Sequence, residues 1–159
     1  MDLIDIAQNI LRDCMGAKQG EEVLIVTDDS RVNIAQALYK GAVNLGCEAM
    51  MMVMKERELN GEEPPKAVAE AMKAADIVIC PTAKSLTHTN ARIRAAETGT
   101  RVATMPGITE KMFSQGAMTA DYAAVEQLTA RITGMLTASK TARIEKDGCV
   151  LTLNLDGRK

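Results

Sequence analysis

The polar residues best placed to do chemistry fall in two short segments, each following a predicted strand. Asp28 and Ser30 come directly after the first strand, and Thr82, Ser85 and His88 come after the third. In open parallel sheets, ligands bind at the carboxyl ends of the strands, near the point where the strand order reverses. If the strands lie in the order 2-1-3-4, the two segments flank that point. The sequence therefore predicts that these five residues line the edge of a ligand-binding cleft.

Ser85 and His88 could act together as a nucleophile and a base, but the chain has no Gly-x-Ser-x-Gly pattern. We favour helix capping by Thr87 or Thr89 and an exposed imidazole. A hydrolytic metal site needs several converging His, Asp, Glu or Cys ligands. The chain has one histidine, and its acids are scattered. The sequence therefore predicts neither a catalytic residue nor a set of metal ligands in this chain.

Nucleotides and nucleic acids are poor candidates for partners. The turn at 27–31 reads TDDSR, without the glycines of a dinucleotide-binding turn, and its two acids would repel phosphate. The chain carries 19 Lys and Arg against 21 Asp and Glu, for a net charge of −2. No basic excess is available to neutralise a phosphate backbone. We therefore expect no nucleic-acid partner.

Sulfur-containing residues are predicted to fill the core. The methionine-rich run at 50–54 could suggest a site for a soft metal, but side chains of a strand alternate between faces and cannot converge on one ion. The four cysteines form no Cys-x-x-Cys pair, and we interpret them as buried thiols and not disulfides. They are Cys14, Cys47, Cys80 and Cys149.

The elements that must position these residues alternate between strands and helices. Short apolar runs rich in β-branched residues begin near 22, 48, 76 and 101, and helical spacing fills the segments between them. Each unit is too long for a hairpin, so the strands should be parallel. We predict an α/β fold: an open, mostly parallel sheet of at least four strands, flavodoxin-like or Rossmann-like, with helices on both faces. Further helices are expected at 3–15, 109–116 and 121–138, the last with an inward apolar stripe at Val125, Leu128, Ile132, Met135 and Leu136.

The last residues change character. Two alternating segments, 143–146 and 149–155, are joined by Asp147-Gly148, a strong signal for a two-residue β-hairpin. A second turn pair, Asp156-Gly157, follows near the last residue. We therefore expect residues 1–140 to form an α/β N-terminal domain, and residues 141–159 to be a hairpin or linker that opens a separate catalytic domain.

Ordered blocks along the whole chain carry a family resemblance. They are QGEEVLI at 19–25, TGTRVATMPGIT at 98–109 and ARI with DGCVLTL at 142–153. Together they resemble the N-terminal half of the thermophilic-type metallo-aminopeptidases, the family of aminopeptidases T and S. The dihydroxypyridine ring-cleaving dioxygenases are relatives with the same N-terminal organisation.

This resemblance implies that two domains of the whole protein have different roles. The N-terminal α/β domain would bound the active-site cleft, and a C-terminal domain would hold two divalent metal ions through Glu, His and Asp. The metal would be zinc, cobalt or manganese, or iron in a dioxygenase, and no ligand can be assigned to a position in this chain. The implied partners are its own catalytic domain, a second subunit in a homodimer, and a peptide substrate. The chain alone is expected to be inactive.

Two alternatives from other functional classes remain. The chain could be a stand-alone module that binds a small ligand, or an oligomerisation module that uses the apolar face of the hairpin. The N-terminus carries acids where a signal peptide would carry Lys or Arg, and no apolar run is long enough to span a membrane. We therefore expect a cytoplasmic protein without a membrane partner.

Overall fold

The structure is a computed structural model that describes residues 2–158. It contains two compact units, Met1–Ala120 and Asp121–Lys159. The first contains the parallel sheet and its helices, and the second contains one long helix and a hairpin. The expected domain boundary after residue 140 stays a prediction, although the long helix belongs to the same compact unit as the hairpin.

Four parallel strands form the sheet of the first unit. They are β1 (Glu22–Asp28), β2 (Glu48–Met54), β3 (Ile77–Thr82) and β4 (Arg101–Pro106). Their order is β2-β1-β3-β4, with parallel pairing throughout. The strand positions and the conditional order 2-1-3-4 are both confirmed. The order reverses between β1 and β3, so the loops that follow these two strands lie next to each other.

Helices connect the strands and cover both faces of the sheet. A turn of π-helix at Ile10–Cys14 follows the first helix, and a single 3-10 turn at Asp29–Arg31 precedes the second. A second 3-10 turn, Gly116–Thr119, ends the unit. The five helices of this unit are α1 (Leu3–Asn9), α2 (Val32–Asn44), α3 (Lys66–Ala74), α4 (Asn90–Glu97) and α5 (Glu110–Ser114).

The core lies on both sides of the sheet because β1 and β3 are buried along nearly their whole length. Alternate residues such as Ile25 and Ile79 pack with α1, α2 and α5, where Phe113 is fully buried. Their neighbours along the strands pack with α3 and α4 around Met72 and Leu86. Continuous apolar strands are typical of a sheet covered on both faces. The predicted fold class is therefore confirmed.

The second unit contains α6 (Tyr122–Ala138), β5 (Thr141–Lys146) and β6 (Cys149–Asn154). The two strands pair antiparallel, with Ile144 opposite Leu151. The turn residues Asp147 and Gly148 both have positive φ, at 51° and 76°. Positive φ at both central residues is the requirement of a type I′ turn, which Asp-Gly meets at low cost. The predicted hairpin is confirmed.

The prediction that the apolar stripe of α6 faces inward is wrong. No residue of α6 is buried, and the five stripe residues are 45% to 65% exposed. The apolar residues of the hairpin, including Leu151 and Leu153, are exposed as well. Helical spacing shows that one face of a helix is apolar. It does not show that the same chain supplies the surface that covers this face.

The expectations for sulfur-containing residues hold in part. Cys47 and Cys80 are buried, and burial raises the pKa of the Cys80 thiol to about 12. Cys14 and Cys149 are exposed, so the core interpretation was wrong for both. Within the methionine-rich run, Met54 is buried but Met50 is 43% exposed, because β2 is an edge strand. No helix in the described part of the chain is long and apolar enough to cross a membrane.

Candidate functional site

Asp28 holds together the two loops at the strand-order reversal. It is the last residue of β1 and is almost fully buried. Its Oδ1 accepts hydrogen bonds from the Ser30 backbone N–H at 3.1 Å and from Ser30 Oγ at 2.5 Å. Its Oδ2 accepts one from the Ala83 N–H at 2.6 Å, directly after Thr82. The two predicted segments therefore meet at this edge of the sheet, through the protein's own hydrogen bonds.

A row of side-chain hydroxyl groups extends from the end of β3 to β4. Thr82 Oγ1 donates to the Lys84 carbonyl at 2.6 Å, which folds the loop back after the strand. Ser85 Oγ donates to Thr87 Oγ1 at 2.9 Å, and Thr87 Oγ1 lies 2.8 Å from Thr104 Oγ1 on β4. These side chains can each donate and accept a hydrogen bond. They add uncharged hydrogen-bonding groups to this edge of the sheet.

The structure does not join Ser85 to His88. His88 is exposed, and no hydrogen bond connects it to Ser85 among the described residues. The backbone N–H of Ser85 instead donates to Asn60 Oδ1 at 2.8 Å. Thr89 Oγ1 accepts from the Arg92 N–H and caps α4, so Thr89 is the cap of the two candidates, Thr87 and Thr89, that the sequence offered. The serine and the histidine therefore form no nucleophile–base pair in this structure.

The loop between β2 and α3 supplies contacts that the sequence interpretation missed. Glu63 accepts hydrogen bonds from the backbone N–H of Asn90 at 2.6 Å and of Ala91 at 3.1 Å, at the start of α4. Glu62 accepts from the N–H groups of Glu58 and Leu59, and these bonds lower the pKa of its carboxyl group. Glu62 and Glu63 are adjacent in the sequence, but it is Glu63 that contacts the helix. No local signal identifies its helix contact, which spans 27 residues.

Two shallow grooves border this region. One of about 340 Å³ lies between α3 and α4 and includes Lys66, Lys73 and Arg94. Another of about 290 Å³ lies beside Ser30 and is lined by Arg31, Asn33 and Glu110 among others.

The second groove is already bridged by side chains of the protein. Asn33 Nδ2 donates to Glu110 Oε1 at 2.7 Å. Arg31 Nη1 donates to the Ser30 carbonyl at 2.9 Å, and Arg31 Nε is buried without a hydrogen-bond partner. Among residues 2–158, no group of three or more His, Cys, Asp or Glu side chains could hold a metal ion.

Comparison with known proteins shows a likeness in fold. No family model and no curated protein matches the chain. The 2,5-dihydroxypyridine dioxygenase from Pseudomonas putida KT2440 matches over 96% of this chain, with a TM-score of 0.70 and 15% identity. A fatty acid ABC transporter substrate-binding protein from Thermomonospora curvata matches over 84%, with a TM-score of 0.51 and 13% identity.

The chain spans about half the length of the dioxygenase, 47%, and 39% of the transporter protein. At these identities the matches establish the fold, and substrates and activities do not follow from them. The resemblance to aminopeptidases, the implied metal and the implied partners stay predictions. So does the role of Asp28, Ser30, Thr82, Ser85 and His88 in binding a ligand.

Proposed function

We propose that this chain is the non-catalytic α/β domain of a larger metal-dependent enzyme, and that the loops after β1 and β3 form one wall of its substrate cleft. The match that covers 96% of this chain and 47% of a dioxygenase supports this proposal most directly. We place the cleft wall at the strand-order reversal, because open parallel sheets bind ligands at this point.

The chemistry available at this wall suits positioning of a substrate. The Asp28 carboxylate is already bonded by Ser30 and Ala83, so it fixes the loops and leaves little capacity for a ligand. Ser85, Thr87 and the exposed His88 can hydrogen-bond to a polar substrate. No group of three or more His, Cys, Asp or Glu side chains among the described residues could hold a metal ion. We therefore assign the metal chemistry of the proposed enzyme to residues other than these.

A ring-cleaving dioxygenase is the first candidate for the whole enzyme, because the fold match favours it. A metallo-aminopeptidase is the second candidate, because of the sequence blocks at 19–25 and 98–109. The structure places these blocks in and beside β1 and β4, and the second block includes Thr104 of the hydroxyl row. The two candidates differ in substrate: a dihydroxylated aromatic ring or the N-terminus of a peptide.

Both parts of the proposal can be tested with the purified 159-residue chain. We expect no turnover of 2,5-dihydroxypyridine or leucine p-nitroanilide in the presence of iron, zinc, cobalt or manganese ions. Amide NMR shifts should respond to only one of the two compounds, at residues 83–89. Thr87→Val should weaken this response, because it removes the hydroxyl bonded to Ser85 and Thr104.

Ser139→Ala is the matched control. Its hydroxyl donates to the Met135 carbonyl at the end of α6, so its loss should leave the shifts at 83–89 unchanged. Metal-dependent turnover by the chain alone would refute the non-catalytic assignment. Shifts that avoid residues 83–89 for both compounds would refute the cleft wall.

A further inference from the structure

The groove between α3 and α4 collects basic side chains from both helices. Its volume of about 340 Å³ lies within the range of small-molecule pockets. Lys66 and Lys73 come from α3, and Arg94 comes from α4. The apolar residues that line the groove are small, which leaves space between the helices: they are Pro64, Ala69 and Ala91.

Helical spacing explains the α3 side of this groove. Its lining residues at 66, 69, 70 and 73 follow the i, i+3, i+4, i+7 pattern, so one face of α3 presents all of them. At a rise of about 1.5 Å per residue, the distance from 66 to 73 along the helix is about 10 Å. An extended peptide of about three residues would fill this length. The groove therefore suits a small molecule better than a long peptide segment.

Two glutamates also line the groove, but other contacts occupy both of them. The two oxygens of Glu63 accept hydrogen bonds from the backbone N–H groups of Asn90 and Ala91. A carboxylate in this position is balanced by the partial positive charge at the start of α4. Glu70 Oε2 lies 2.5 Å from Lys73 Nζ, and the Glu70 side chain is 71% exposed. Glu70 is therefore balanced by Lys73 and extends largely into solvent.

Lys66 and Arg94 are left without a counter-ion. Both are exposed, and neither forms an ion pair within residues 2–158. α3 begins after Pro65 without a side-chain cap, so the N–H groups of its first turn add partial positive charge at the Lys66 end of the groove. A concave surface with unbalanced charge of one sign concentrates ions of the opposite sign. The groove should therefore attract an anion.

We propose that this groove binds a small dianion of the phosphate-monoester class. Lys66 and Arg94 donate charge-assisted hydrogen bonds to the phosphate oxygens, and the planar guanidinium can contact two oxygens at once. Ala69 and Ala91 contact the organic part of the ligand. A monocarboxylate carries a single charge, so it leaves one of the two cations unbalanced and binds more weakly. The site shares no residue with the proposed cleft wall at 83–89, so it does not depend on the proposed function.

Titration of the full chain at pH 8 and constant ionic strength tests this site, with phenyl phosphate as the probe. At this pH the phosphate carries nearly two charges. Amide NMR shifts should saturate at residues 63–73 and 90–94, with a dissociation constant of about 1 mM or less. Benzoate, which has the same ring and one charge, should bind about tenfold or more weakly. Lys66→Gln and Arg94→Gln should each raise the constant for phenyl phosphate about tenfold, because each removes a charge-assisted hydrogen bond.

Two matched controls separate this site from general attraction between charges. Lys40→Gln on α2 and Arg131→Gln on α6 remove the same charges from exposed positions outside the groove, so both should leave the constant unchanged. Far-ultraviolet circular dichroism checks that all variants fold.

A steric variant tests the groove itself without changing the charge. Ala69→Gln fills the space between the helices and should raise the constant for phenyl phosphate, whereas Ala74→Gln, at an exposed position of the same helix, should not.

Three results would each overturn the proposal. The first is shifts spread over lysines and arginines throughout the chain, and the second is equal effects of Arg94→Gln and Arg131→Gln. The third is saturable binding of an acidic peptide without binding of phenyl phosphate, which would make the groove a docking surface for protein.

Discussion

Asp28 shows how a single buried carboxylate can join two loops. A buried carboxylate is costly unless its oxygens are hydrogen-bonded. Here two backbone N–H groups and one hydroxyl satisfy them, and they come from both loops at the strand-order reversal. The side chain therefore fixes the relative position of the loops that carry Ser85 and His88. Asp28 is therefore a structural tether between the two loops, and its role in binding a ligand stays a prediction.

The sequence predicted some members of the candidate site but not their contacts. Asp28 and Thr82 were found because they end apolar strands, and strand ends can be read locally. Thr104 and Asn60 were missed because their contacts with Thr87 and Ser85 span 17 and 25 residues. Such pairings depend on the lengths and paths of the intervening loops, which no periodic pattern encodes.

Glu21 should make the stability of the first unit depend on pH. Its hydrogen bond to Arg101 and, second, its bond to the Lys18 backbone N–H lower the pKa of the carboxyl group. A lowered pKa means that the folded state favours the ionised form, so the stabilisation is present above the ordinary glutamate pKa and lost as the pH falls through the folded value. Glu21→Gln should lower the free energy of unfolding by up to about 1 kcal/mol at pH 7.

The difference between wild type and Glu21→Gln should shrink as urea unfolding is repeated at successively lower pH. Glu22→Gln is the control: its carboxylate is exposed and forms no ion pair among the described residues. It should change the free energy of unfolding by less than about 0.5 kcal/mol. A Glu21→Gln difference that stays constant down to the acid range would contradict the role of the ionised carboxylate.

Element positions were more predictable than element ends. All four strands followed from short apolar runs separated by helical segments, because these patterns are local and strong. Their order, β2-β1-β3-β4, entered the sequence analysis only as a condition and agrees with the structure. α4 starts only at Asn90, because Thr89 caps the helix and the preceding residues form the hydroxyl row. The predicted helix at 109–116 became α5 followed by a 3-10 turn. Hydrogen bonds of individual side chains set these boundaries.

Close packing of α1 on α2 depends on Gly41. A Cβ at this position would lie 3.0 Å from Ala7 Cβ and 3.1 Å from the Gln8 backbone nitrogen. Gly41→Ala should therefore lower the free energy of unfolding by about 1 kcal/mol or more, because overpacking outweighs the gain in helix propensity. Gly134→Ala in α6 has no atom within 4 Å of the added carbon and should increase helicity. Urea unfolding and circular dichroism measure the two effects, and stabilisation at Gly41 would refute the tight contact.

At the scale of the whole molecule, the sequence predicted an apolar face on α6 but not its exposure. The same spacing produces a buried stripe in α2 and an exposed one in α6. Periodicity is a property of the element, whereas burial depends on what else packs there. Exposed apolar patches of this kind mark interaction surfaces. The patch fits the proposal that further protein packs on this unit in the intact enzyme.

The exposure of α6 can be tested directly. Replacing Leu128 and Ile132 together by Glu should reduce binding of a hydrophobic dye and change the free energy of unfolding of the first unit by less than about 0.5 kcal/mol, because neither side chain is buried. Thr129→Glu with Thr133→Glu is the matched control, since it adds the same charge to exposed positions of α6 without removing apolar surface. This control should leave dye binding nearly unchanged.

The opposite result is expected if the chain is a stand-alone module in which α6 packs on its own domain. Replacing two core residues would then lower the free energy of unfolding by about 2 kcal/mol or more. That loss of stability would show that the chain itself covers the apolar stripe of α6. The exposure of this stripe would then no longer support the proposal that further protein packs on it.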